Sequence, residues 1–118
     1  MNSVESQTSF YLQVLNATVS SKSEEYATLA TDNFELTLHQ IPEQYQEVIH
    51  TPPQIREDCA WKPTFDIADL HAARETANQL GGMLKDTSFE WSLDGFIYCD
   101  GNDPEGNVIQ FRQRILAN

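Results

Sequence analysis

Asp103-Pro104-Glu105-Gly106-Asn107, running straight into Val108-Ile109-Gln110-Phe111-Arg112, is the stretch on which the fold turns. Proline presets one turn dihedral and glycine accepts a positive φ, so the first five residues predict a tight turn. The next five alternate apolar and polar, the pattern of a half-buried strand. A strand over 96–100 precedes the turn, so the turn joins two strands of one sheet.

Working outward, 83–85 predicts a further strand, with 87–95 between it and 96–100 read as a loop. Before it, Leu70, Ala73, Ala77 and Leu80 form one stripe of a helix over 70–80. Asp69 is its N-cap and Gly81-Gly82 its stop, and a strand over 64–68 leads into it. The N-terminal half repeats much of this order. Ser3 caps a helix over 4–15 that carries Phe10, Tyr11, Val14 and Leu15 at helical spacing, and Asn16 tolerates the left-handed conformation that ends it. Strands follow over 17–21, 25–31 and 34–41, the last two joined by an Asp32-Asn33 turn. In the third, Phe34, Leu36 and Leu38 share one face, and Glu35, Thr37 and His39 the other. The polar stretch 42–61, with Pro52-Pro53, is a linker with room for a short helical turn. The order α-β-β-β, linker, β-α-β-β-β is an internal repeat of a βαβββ unit. Residues 3–41 form module one, 42–61 the linker and 62–114 module two of a single domain over 1–118.

Composition narrows the function classes. Eighteen acids against seven bases give a net charge of −11, which repels phosphate backbones and anionic lipid, so neither nucleic acid nor a membrane surface is an expected partner. No apolar run approaches a membrane span, and no basic-then-apolar leader opens the chain, so the expected location is cytoplasmic. Cys59 and Cys99 lie outside any CxxC spacing and are expected to be reduced. Gly81-Gly82 follows a helix instead of preceding one, so it is not a phosphate cradle, and no nucleophile elbow occurs.

Four motifs in order carry a family resemblance: Phe10-Tyr11-x-x-Val14-Leu15-Asn16, Phe34-Glu35-Leu36-Thr37-Leu38-His39, the run from Phe65-Asp66-Ile67 to Ala73, and the turn and strand from Asp103 to Phe111. Together they resemble the vicinal oxygen chelate superfamily of glyoxalase I, bleomycin-resistance proteins and extradiol dioxygenases. The resemblance implies an α+β fold of two βαβββ modules, forming curled mixed sheets around a groove. The family opens with a strand before the first helix. Here only Met1 and Asn2 precede Ser3, so the first strand of module one is expected to be missing. An edge left open is a template for another chain, and the family often pairs modules across a dimer, so a homodimer is expected, with a truncated start as the rival explanation.

The resemblance also implies a site. Metal-dependent members hold a divalent ion with one residue from the first and one from the last strand of each module. Carried onto this chain, the first position falls in the missing strand, and the others fall on Glu35, Lys62 and Gln110. Glu35 is a competent ligand and Gln110 a weaker one, but a charged lysine has no acceptor. No cofactor is therefore expected, a divalent metal being the disfavoured alternative. Lys62 is expected to replace the ion and pair with Glu35, with Gln110 hydrogen-bonding nearby. By strand alternation Thr37, His39, Thr64, Asp66 and Arg112 share this pocket face, and Tyr98, Trp61 and Trp91 are candidate cavity walls. His39 reads as a structural histidine before a base, and His50 and His71 as exposed. The leading functional reading is a metal-independent protein binding a small organic ligand in the groove, as bleomycin-resistance members do. The alternatives are a metal-dependent glyoxalase-like or dioxygenase-like enzyme, and a non-catalytic association domain. The degenerate ligand set leans against an enzyme.

Overall fold

Ser3 sits in extended backbone with its hydroxyl accepting from the Ser6 N–H, and helix α1 (Val4–Val14) begins there. The computed structural model describes residues 3–47 and 51–115, so His50 lies outside the described residues. Asn16 turns the chain left-handed at φ 54°. β1 (Thr18–Lys22), β2 (Tyr26–Ala30) and β3 (Glu35–His39) then form an antiparallel sheet in that order. Ala27, Leu29 and Leu38 bury their side chains, while Glu35, Thr37 and His39 face solvent, as the alternation requires. A short 3₁₀ turn at Glu43–Tyr45 opens the linker.

Module two runs β4 (Thr64–Asp66), α2 (Leu70–Gln79), β5 (Met83–Leu84), β6 (Trp91–Leu93), β7 (Phe96–Asn102) and β8 (Val108–Arg114). Asp69 caps α2 by accepting from the N–H groups of His71 and Ala72. The sheet order is β4-β8-β7-β5, with β4 parallel to β8 and the rest antiparallel. The two sheets stay separate, one purely antiparallel and one mixed.

Residues 87–95 are not a loop. They hold a 3₁₀ turn at Thr87–Phe89 and strand β6, which pairs with β7 through Trp91↔Tyr98 and Leu93↔Phe96. Asp94 and Gly95 both take positive φ, 50° and 86°. That is the two-residue hairpin turn whose twist matches the flanking strands.

One core joins the modules. Phe10, Tyr11 and Val14 of α1 and Leu15 at its C-cap cluster with Phe65, with Leu70, Ala73 and Ala77 of α2, and with Ile109 and Phe111 of β8. Phe65 is the joint: its ring lies 6.0 Å from Tyr11, 5.4 Å from Phe34 and 6.1 Å from Phe111. Among the described residues no strand precedes α1. β8 carries β4 along one edge, while β3, its counterpart, pairs with no strand but β2 among the described residues. No helix among the described residues is long and apolar enough to cross a membrane.

The Asp103 turn belongs to module two by sequence but is bound by module one. Asp103, 1% exposed, accepts hydrogen bonds from Gln7 Nε2 at 2.8 Å and the Tyr11 hydroxyl at 2.6 Å, both on α1. Its other bonds close the turn, from the N–H groups of Glu105 and Asn107 and from Asn107 Nδ2. Glu105 in turn accepts from the Ser3 N–H at 2.9 Å. A charged hub thus ties the two repeats together.

Candidate functional site

With Cys99, Ile109 and Phe111 turned into the core, strand alternation turns Tyr98, Asp100, Gln110 and Arg112 to the opposite, outer face of the five-stranded sheet. The register sets them side by side: Thr64↔Gln110↔Asp100 and Asp66↔Arg112↔Tyr98. Two polar rows result. In the first, Lys62 Nζ lies 2.9 Å from each oxygen of Asp100, Gln110 Nε2 donates to Asp100 Oδ1 at 3.2 Å, and the Thr64 hydroxyl donates to Gln110 Oε1 at 2.7 Å. In the second, Arg112 pairs with Asp66 and lays its guanidinium 4.1 Å over the Phe96 ring. The hydrogen-bonded Asp66 carboxylate, and after it the Tyr98 hydroxyl, hold the Arg112 pKa above its ordinary value. The Tyr98 ring stacks on Trp91 at 5.6 Å and 10° between planes.

Lys62, Thr64, Asp66, Tyr98, Gln110 and Arg112 are therefore brought together. Glu35, Thr37 and His39 are not: they lie on the separate three-stranded sheet, where Thr37 bonds Thr28 across the strands at 3.0 Å and the His39 ring lies 6.4 Å from Tyr26. The expected Lys62–Glu35 pair is replaced by Lys62–Asp100, because the register places Asp100 beside Gln110 in the same sheet. Asp100, two residues after Tyr98 on the same strand face, is a site residue that was not among the expected ones. His71 is exposed and lies 3.4 Å from Glu75.

The donor set does not fit a divalent metal. An ammonium grips both oxygens of the carboxylate nearest Gln110, and the Gln110 carbonyl is taken by Thr64. An ion would have to expel Lys62 and would gain one neutral ligand beyond Asp100. Among the described residues no group of three or more His, Cys, Asp or Glu is placed to hold a metal.

A cavity of about 350 Å³ opens at one end of the first row. Its floor is Met83, Asp100, Asn102 and Val108, its roof Ile55, Arg56, Glu57 and the run from Cys59 to Trp61 of the linker with Lys62 after them, and Trp61 is 72% exposed. A larger cleft of about 710 Å³ lies between the modules, where α1 ends and α2 begins. Its acids other than Asp32 are committed, Asp66 to Arg112 and Asp69 to the cap of α2, so the smaller cavity has the better-placed chemistry. On the helix side of the sheet, Arg74 binds the Lys85 carbonyl and Glu90, and burial pushes the Cys99 thiol up, keeping it neutral. Cys59 is exposed, and both thiols are free.

No family model and no curated protein matches the sequence. Solved structures do match. A glyoxalase/bleomycin resistance protein/dioxygenase family enzyme from Burkholderia phytofirmans superposes with a TM-score of 0.68 at 16% identity, over 98% of this chain and 93% of that one. A glyoxalase/bleomycin resistance protein from Albidiferax ferrireducens gives 0.66 at 17%, over 97% and 93%. The fosfomycin resistance protein FosX from Listeria monocytogenes gives 0.65 at 13%, over 98% and 86%. At such identities the likeness is one of fold. With two helices set on separate three- and five-stranded sheets, and the parallel β4–β8 pair closing the second repeat, this chain has the vicinal oxygen chelate fold.

Proposed function

We propose that this protein binds a small organic molecule, without a catalytic metal, on the outer face of its five-stranded sheet. Lys62, Thr64, Asp66, Tyr98, Gln110 and Arg112 line the site, and Glu35, Thr37 and His39 stand on the companion sheet. The observation that supports this reading is the Lys62 ammonium seated on Asp100 beside Gln110, where metal-dependent members of the fold are expected to hold an ion. A preformed cavity next to it supplies volume within the range of small-ligand sites. The two free thiols accord with work in the cytoplasm.

Elemental analysis tests the metal-independent half. After loading with manganese, nickel or zinc and exhaustive dialysis, retained metal is expected to be far below one ion per chain. A stoichiometric ion surviving dialysis would overturn the reading in favour of a metalloenzyme.

The same reading makes the protein a homodimer, a second copy covering the edge of β3 that carries no strand among the described residues. Native mass spectrometry is expected to give a particle of twice 13.4 kDa. A particle of single-chain mass at micromolar concentration removes the dimer.

A further inference from the structure

We infer that the ligand of the 350 Å³ cavity is a small aromatic anion, its ring against Trp61 and its acid group drawn by Lys62 and Lys85. The inference rests on the ligand-binding reading above and adds the charge and shape of the guest.

The distribution of charge points this way. The chain carries seven bases among eighteen acids, yet three of the seven (Arg56, Lys62 and Lys85) line this one cavity, against two acids, Glu57 and Asp100. In a protein of net charge −11 this gathering of bases is local, and of the three only Lys85 has no acid paired with it among the described residues. Asp100 is already matched by Lys62. An ammonium has three donors, so Lys62 keeps hydrogen-bonding capacity for a second anion. Lys85 has no acidic partner among the described residues; its ammonium lies 5.2 Å from the Phe89 ring centroid. Arg56 is fastened by its backbone to Gly106 and by Nε to the Glu105 carbonyl, which fixes the roof in place, and its ion pair with Glu47 spans 3.6 Å at an exposed position.

The apolar half of the site has a matching shape. Trp61 leaves its indole mostly in water at the roof, and Met83 is 43% exposed below it. An aromatic ring between them would remove that surface from solvent, with stacking on the indole added to the area term. Lys62 and Lys85 line the cavity that the acid group would enter, while the acids outside the lining act at longer range and are screened beyond about 8 Å in physiological salt. A cationic aromatic would meet the three bases at close range. A polyanion such as nucleic acid would extend beyond them and meet the acidic surface.

Isothermal titration calorimetry with three guests of one shape tests this: 1-naphthoate, 1-naphthylmethanol and 1-naphthylmethylammonium. Naphthoate is expected to bind at least tenfold more tightly than the alcohol, and the ammonium more weakly than either. Lys85→Gln is expected to cost naphthoate roughly tenfold while leaving the alcohol unchanged, and Trp61→Ala to weaken both. Circular dichroism of each variant checks the fold, and the alcohol's unchanged affinity for Lys85→Gln reports an intact cavity. If the alcohol or the ammonium binds as tightly as naphthoate, or if Lys85→Gln leaves naphthoate unaffected, the anion inference falls and the ligand-binding reading stands. If none of the three binds, both fall.

Discussion

Asp103→Ala is expected to remove about 3–5 kcal/mol of stability, a large part of the roughly 5–15 kcal/mol that keeps an ordinary domain folded. The carboxylate is buried and accepts five hydrogen bonds, two from α1 side chains, two from backbone N–H groups of its own turn and one from the Asn107 amide. Alanine leaves all five donors without their acceptor, and strands those of Gln7, Tyr11 and Glu105 out of reach of water, each at a cost of about 1–3 kcal/mol before relaxation. It also unfastens module one from the turn that begins β8. Asp103→Asn keeps the shape but turns one acceptor into a donor facing other donors, so a loss of intermediate size is expected. Urea unfolding of the three proteins checks this; a midpoint for the alanine variant within about 1 kcal/mol of the parent would show that the hub contributes little.

The hub has a signature in alkali. Burial first, and the Asp103 charge after it, raise the Tyr11 pKa far above its ordinary value of 10.0. The unfolded chain loses that phenolic proton above pH ~10 while the native state keeps it, so stability falls as pH rises beyond that point, by about 1.4 kcal/mol per pH unit for this group. Below pH ~10 both states are protonated and Tyr11 adds no pH dependence.

Gly106→Ala is the second large effect. Gly106 has φ +86°, and a Cβ there would stand 1.9 Å from the Gln54 carbonyl oxygen. A left-handed non-glycine residue costs roughly 1–2 kcal/mol on its own. The collision adds to this by pushing the linker away, and with it the Arg56 N–H that donates to the Gly106 carbonyl at 2.8 Å. The linker roofs the 350 Å³ cavity, so the substitution is expected to destabilise the protein by more than 2 kcal/mol and to speed tryptic cleavage after Arg56. Gly95→Ala supplies the control. Its φ is +86°, but no atom lies within 4 Å of the added Cβ, so it is expected to cost the backbone term alone. Equal losses at the two glycines, with unchanged cleavage at Arg56, would show that the linker yields freely.

The hairpin at 91–98 was readable and was passed over. Asp94-Gly95 between apolar-rich flanks is a strong short-range hairpin signal, which the reading of 87–95 as one loop leaves unused. Asp69 as a cap, Asn16 in the left-handed region and the two faces of β3 were legible without a structure, and the coordinates show each of them.

Residue by residue, the chain determined what depends on near neighbours: caps, helix stripes, the alternation that turns Gln110 and Arg112 one way and Ile109 and Phe111 the other, and the repeat that these add up to. Tertiary structure alone decided the partners. Lys62 finds Asp100 thirty-eight positions away, and Thr64 finds Gln110 at forty-six, because β4 lies parallel against β8 in one particular register. Glu35 misses them because its strand belongs to another sheet. Periodicity is a local property of the backbone, whereas the pairing of side chains far apart in sequence depends on which strands meet and at what register, and a slip of one residue would turn every one of them to the opposite face.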